Sequence, residues 1–231
     1  MTYLSVSSRV AAVRERIAAA CQRSGRSPSE VTIVAVTKTH PADAVEAVRA
    51  AGLTDVGENR IQELEGKVST IGRQAVRWHL IGHLQRNKAK KALELADMIH
   101  SVDSVRLARK LSDEAAASDR VIDVLVQVSV SGEETKGGLV EEGAIDGIAE
   151  ICSFPGLRVS GLMTMAPYTD DESLIRTTFR ATRQLLDRAA SVDGFEGRHL
   201  SMGMSNDFEV GIEEGSTIVR LGTVLFGERG A

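Results

Sequence analysis

Only two cysteines occur in the chain, Cys21 and Cys152, far apart and without metal-ligand spacing. That argues against a disulfide framework or a cysteine-built metal site, and each reads as a reduced core thiol in an apolar helical context. No apolar run approaches the ~20 residues that cross a bilayer, and the N-terminus lacks the apolar stretch of a signal peptide. Nor is there an excess charge: 28 Lys+Arg stand against 32 Asp+Glu, a net charge of −4, which gives no general pull toward nucleic acid or anionic membrane. A Pro/Gly/Ser-rich linker is missing as well, as is any low-complexity segment. The expectation is a soluble cytoplasmic protein with residues 1–231 in one domain, long enough at 42% hydrophobic residues to bury a sizeable core.

What is present is alternation. Val31-Thr32-Ile33-Val34-Ala35-Val36-Thr37 is an apolar, β-branched run that reads as a strand covered on both faces. Further strands are expected at 55–57, 77–81, 98–102, 121–130, 158–163, 199–200 and 217–221. Helical spacing fills the gaps at 41–51, 59–70, 86–95, 104–117, 139–151, 171–190 and 207–214. Asn206 and Glu209 suggest a capping box on the last of these. An additional helix over 4–24 carries Val10, Val13, Ile17, Ala20 and Cys21 on one face and stops at Gly25. Eight βα units in one domain predict parallel strands closed into a (β/α)8 TIM barrel with an extra N-terminal helix. An open doubly wound sheet is the alternative, but Val36-Thr37-Lys38-Thr39 is unlike the Gly-rich turn such a sheet carries after an early strand.

Barrels of this kind do their chemistry at the C-terminal mouth, so strand-end residues are the candidates. Lys38 follows the first strand, and Pro41 prevents the strand from continuing. A lysine against apolar walls has its charged form disfavoured, which leaves its amine able to attack a carbonyl. After the seventh strand comes Ser201-Met202-Gly203-Met204-Ser205-Asn206, and after the eighth Arg220-Leu221-Gly222-Thr223. Glycine N–H groups and hydroxyls in those two loops suit a phosphate. A lysine and a phosphate cradle on neighbouring strands fit a phosphorylated aldehyde, for which pyridoxal 5'-phosphate is the common case. No metal ligands are expected. His79, His83 and His199 are candidate acid/base groups. Arg86, Lys88, Lys90 and Lys91 form a basic cluster that reads as the solvated face of a helix.

The chain resembles the pyridoxal phosphate homeostasis proteins, single-domain relatives of the alanine racemase barrel. The likeness rests on Ala35-Val36-Thr37-Lys38, Gly57-Glu58-Asn59-Arg60, the block from Trp78-His79 through Asn87-Lys88, Ser101-Val102-Asp103, Gly161-Leu162-Met163-Thr164-Met165, Leu200-Ser201-Met202-Gly203-Met204-Ser205 and Val219-Arg220-Leu221-Gly222-Thr223. It implies that Lys38 holds pyridoxal 5'-phosphate as a Schiff base and that Ser201, Gly222 and Thr223 bind its phosphate. Arg220 would face the pyridine nitrogen, with Asn59, His79 and Met163 lining the pocket. Thr37, Ser129 and Gly211 depart from the family's usual Ser, Asn and Ala. The resemblance implies a cofactor carrier and regulator more than a catalyst. An arginine leaves the ring a weak electron sink, and the chain ends before any second, base-bearing domain. A racemase or lyase is the alternative. Expected partners are the cofactor and recipient apoenzymes, with no nucleic acid, no membrane and a monomeric state; Lys136 is a candidate for transient cofactor contact.

Overall fold

Strand β1 (Thr32–Val36) pairs in parallel with β2 (Asp55–Glu58), and parallel pairing continues through β3 (Arg77–Leu80), β4 (Met98–Val102) and β5 (Ile122–Ser129). A computed structural model describes Tyr3 and residues 5–130 and 137–227. The two-residue β6 (Leu139–Val140) adds to the end of β5. β5 also pairs with β7 (Leu157–Met163), which leads through β8 (His199–Ser201) to β9 (Ile218–Leu221). Pairing of β9 with β1 closes the ring, so eight parallel strands form a barrel and β6 lies outside the count. The helices that return the chain are α2 (Asp43–Ala50), α3 (Ile61–Ile71), α4 (Ala89–Leu95), α5 (Val105–Ala117), α6 (Ala144–Cys152), α7 (Glu172–Ala189), α8 (Phe208–Glu213) and α9 (Thr223–Phe226). This is the expected (β/α)8 TIM barrel.

The strand pattern separates two apolar regions. Ala35, Val56, Trp78, Leu80, Ile99, Val124, Leu162 and Val219 pack outward with the helices in one large core. Val34, Met98, Leu125, Met163 and Ile218 form a smaller cluster that alternation along the strands places in the lumen. The extra helix α1 (Val6–Ser24) buries Val10, Val13, Ile17, Ala20 and Cys21 as expected, and Gly25 ends it at φ 67°. It packs on α8 and is tied there by Arg16 to Glu209 and Arg23 to Glu213.

The expected capping box on α8 does not form. Glu209 is committed to Arg16, and Asp207 precedes the helix with its carboxylate accepting from the Met204 N–H at 2.6 Å. The basic cluster also differs from one continuous helix: Arg86–Lys88 is a 3-10 turn before α4, and Lys91 is paired with Glu65 and Glu94. No helix among the described residues is long and apolar enough to cross a membrane.

Candidate functional site at the barrel mouth

Lys38 lies two residues past β1, at the C-terminal mouth. It is exposed, and it makes no hydrogen bond or ion pair among the described residues. The apolar walls expected around it are absent because β1 ends at Val36. The residues on either side are instead firmly held. Thr37 is fully buried; its hydroxyl donates to Glu58, and its carbonyl accepts from Lys67 Nζ at 2.6 Å. Lys67, from α3, also reaches Glu58 Oε1 at 2.5 Å, in an ion pair shielded almost completely from water. Thr39 adopts φ 65°, unusual for a β-branched residue, and its N–H is held by Glu63 of α3 at 2.6 Å. Burial raises the Glu58 carboxyl above its ordinary range against the pull of Lys67, and its second oxygen has no hydrogen-bond partner among the described residues. The backbone that carries Lys38 is therefore clamped on both sides while its amine stays free.

Inside the lumen, Arg220 is 4% exposed. Its Nη1 donates to the Ser201 carbonyl at 2.7 Å and to Ser201 Oγ at 2.6 Å, and its Nη2 donates to the Thr164 carbonyl at 2.9 Å. Three of the five guanidinium N–H groups are used. The Nε–H and one Nη2–H have no partner among the described residues. Burial lowers the guanidinium to about 10, with Asp207 opposing. His79 is enclosed, with Nδ1 2.9 Å from His100 Nε2 and Nε2 2.9 Å from Asp55 Oδ1. Both ring nitrogens are thus occupied, which removes His79 as a free acid or base. His199 sits near the other end of its strand, where burial and the charges of Arg77 and Arg198 lower its pKa. Of these three candidate histidines, only His83 stands at the mouth in the open, 3.1 Å from Asp103 Oδ2.

The loops after β8 and β9 meet. Ser205 Oγ accepts from the Val224 N–H at 3.3 Å, which fixes the first turn of α9. The Gly222 and Thr223 N–H groups ahead of it have no partner among the described residues. Ser201 does not share this loop. It is 0% exposed and its hydroxyl is taken by Arg220 and His100, so it has no capacity left for an anion. Ser205 is the serine beside Gly222 and Thr223. The sequence does hint at the difference, since Ser201 closes an apolar strand while Ser205 follows the Gly203 turn. Asn59 is half-buried just past β2, and Met163 is sealed in the lumen cluster. Glu58, Lys67, Asp55 and His100 were not among the expected site residues; for Glu58, Asp55 and His100 the signal is a polar side chain within or closing an apolar strand, and for Lys67 a charged residue on the buried face of α3. Lys136 lies outside the described residues.

A family model for the alanine racemase N-terminal domain matches residues 9–230. Two curated relatives, each bearing the words "pyridoxal phosphate homeostasis protein", match over nearly their whole length. That of Aquifex aeolicus is 42% identical across 96% of this chain and 97% of its own. That of Escherichia coli strain K12 is 38% identical across 95% of each chain. The chain belongs to the pyridoxal phosphate homeostasis family of alanine racemase-type barrels. The solved structure of PipY from Synechococcus elongatus PCC7942, with PLP bound, superposes at a TM-score of 0.86 with 32% identity over 96% of this chain and 100% of that one. Alanine racemase from Corynebacterium glutamicum shares the fold at a TM-score of 0.72 and 18% identity, with 62% of its chain covered.

Proposed function

We propose that this protein binds pyridoxal 5'-phosphate through Lys38 and keeps it available to recipient apoenzymes, as a cytoplasmic carrier and regulator of the cofactor supply. The observation that carries this reading is the gathering of three unsatisfied donor sets near one mouth: the free Lys38 amine, the Gly222 and Thr223 N–H groups, and the two spare N–H groups of Arg220. They suit, in turn, an aldehyde, a phosphate and a ring nitrogen. The names of the homeostasis relatives and the PLP-bound PipY structure support it. When bound, the cofactor supplies an aldehyde that condenses with a primary amine and a ring able to withdraw electrons.

The chain's own groups bias that chemistry toward holding. Gly222 and Thr223 donate main-chain N–H groups to the phosphate, and the Thr223 and Ser205 hydroxyls add to them. Arg220 remains a cation at neutral pH, so it donates to a ring nitrogen without surrendering a proton, and the ring stays a weak electron sink. Asn59 borders the pocket and Met163 lies in its apolar floor. A monomer is sufficient for this role, because every group named comes from one chain. Titrating pyridoxal 5'-phosphate into the purified protein, with Lys38→Ala alongside, tests the reading. A saturable visible absorbance in the wild-type protein and none in Lys38→Ala is expected. Sustained consumption of any member of an L-amino-acid panel would contradict the carrier role.

A further inference from the structure

Arg220 is a buried cation that hydrogen-bonds to no carboxylate among the described residues, although the charge of Asp207 acts on it. Its three hydrogen bonds all go to neutral oxygens of Ser201 and Thr164. The Asp207 carboxylate is engaged by the Met204 N–H. From Ser201, however, a continuous route crosses the lumen to an anion. Ser201 Oγ lies 2.9 Å from His100 Nδ1, His100 Nε2 lies 2.9 Å from His79 Nδ1, and His79 Nε2 lies 2.9 Å from Asp55 Oδ1. The route joins β9 and β8 on one side of the barrel to β4, β3 and β2 on the other. His79, His100 and Ser201 are each 1% exposed or less.

With neutral imidazoles, one placement of protons satisfies every link. An ionised carboxylate only accepts, so His79 carries its proton on Nε2 and is bare on Nδ1. His100 then carries its proton on Nε2 and is bare on Nδ1, which accepts from the Ser201 hydroxyl. Ser201 in turn accepts from Arg220. Each donor points from the guanidinium toward the carboxylate, so the bonds polarise one another in the same sense. Burial, with the nearby charge of Arg220, keeps His100 neutral. Burial works against the Asp55 carboxylate, but hydrogen bonds from His79 and Thr54 and the charge of Arg77 outweigh it, so Asp55 stays ionised.

We propose that Asp55 is a second counter-charge of Arg220 beside Asp207, acting across the lumen through His79, His100 and Ser201 as positioning residues that hold the guanidinium's spare N–H groups ready for a pyridine nitrogen. The ring nitrogen as ligand rests on the cofactor reading above; the direction of the protons does not. A network that served stability alone would affect ring-bearing and ring-free ligands alike. Asp55→Asn is informative because it keeps an acceptor oxygen for His79 and removes only the charge. Ser201→Ala keeps the charge and cuts the link.

Histidine-labelled wild-type protein without ligand is expected to show a nitrogen–nitrogen coupling across the hydrogen bond between His79 and His100, with the covalent proton on His100 Nε2. Both variants are expected to lose about tenfold in affinity for pyridoxal 5'-phosphate and to shift its absorption maximum, while binding of inorganic phosphate changes by less than about twofold. A proton on His79 Nδ1 overturns the relay, and this readout needs no variant to fold. Wild-type-like binding of pyridoxal 5'-phosphate by both folded variants also overturns the relay alone. A wild-type protein that binds no pyridoxal 5'-phosphate overturns both the cofactor reading and the function assigned to the relay.

Discussion

Lys67 and Glu58 stand behind the Lys38 backbone in an ion pair whose side chains are 6% and 0% exposed. Removing one partner of such a pair strands the other, so Lys67→Met is expected to lower the unfolding free energy by about 3–5 kcal/mol in denaturant titrations. Because burial already raises Glu58, the loss should shrink as pH falls and the carboxyl takes up a proton. His100 supplies a second pH effect of known sign. Its pKa is well below the ordinary 6.5 in the folded chain, so the unfolded chain binds the extra proton first. Stability therefore falls as pH drops below about 6.5. Glu58 works in the opposite sense, and the contribution of His100 is isolated by comparison with His100→Asn. That variant should flatten the dependence by up to ~1.4 kcal/mol per pH unit; an unchanged slope would show that His100 titrates normally. Little of this was legible in the sequence. Glu58 and His100 look like ordinary strand residues until the barrel closes and brings them to Lys67 and Ser201, from other parts of the chain.

At the scale of elements, the two loops after β8 and β9 work as one unit. Gly203 takes φ 94°, and a Cβ there would fall 2.8 Å from Phe208 Cα, so Gly203→Ala must displace α8 or the loop. Ser205→Ala removes both a hydroxyl donor and the acceptor that orders Val224. It is expected to weaken binding of inorganic phosphate and of pyridoxal 5'-phosphate together, by about tenfold, with little change in melting temperature. Calorimetry checks the first part and thermal denaturation the second. Strands and helices were largely legible, since apolar runs and helical spacing alternate cleanly from β1 to β9. The misreadings are local. Residues 139–151 look like one helix but begin with β6, which pairs with β5, and a 3-10 turn before α6. Asn206 looks like a cap, yet Asp207 bonds back to Met204 instead. In both cases a short tertiary pairing displaces the local preference.

For the whole molecule, closure of β9 on β1 is what makes the site. It pairs the strand before Lys38 with the strand before Gly222 and Thr223, although the two lie far apart in the chain. The barrel followed from the βα order. Which serine faces the loop and which is sealed in the lumen did not, because Ser201 and Ser205 differ by a turn of chain that only the folded β8–α8 connection reveals. The lumen route from Asp55 to Arg220 draws on β2, β3, β4, β8 and β9, so no local stretch could have disclosed it. The proposed carrier role turns on Lys38 Nζ holding pyridoxal 5'-phosphate. Borohydride reduction of the loaded protein followed by peptide mapping tests it most directly. A phosphopyridoxyl group is expected on the peptide containing Lys38; a protein that remains unlabelled there, or is labelled chiefly on another lysine, would contradict this role.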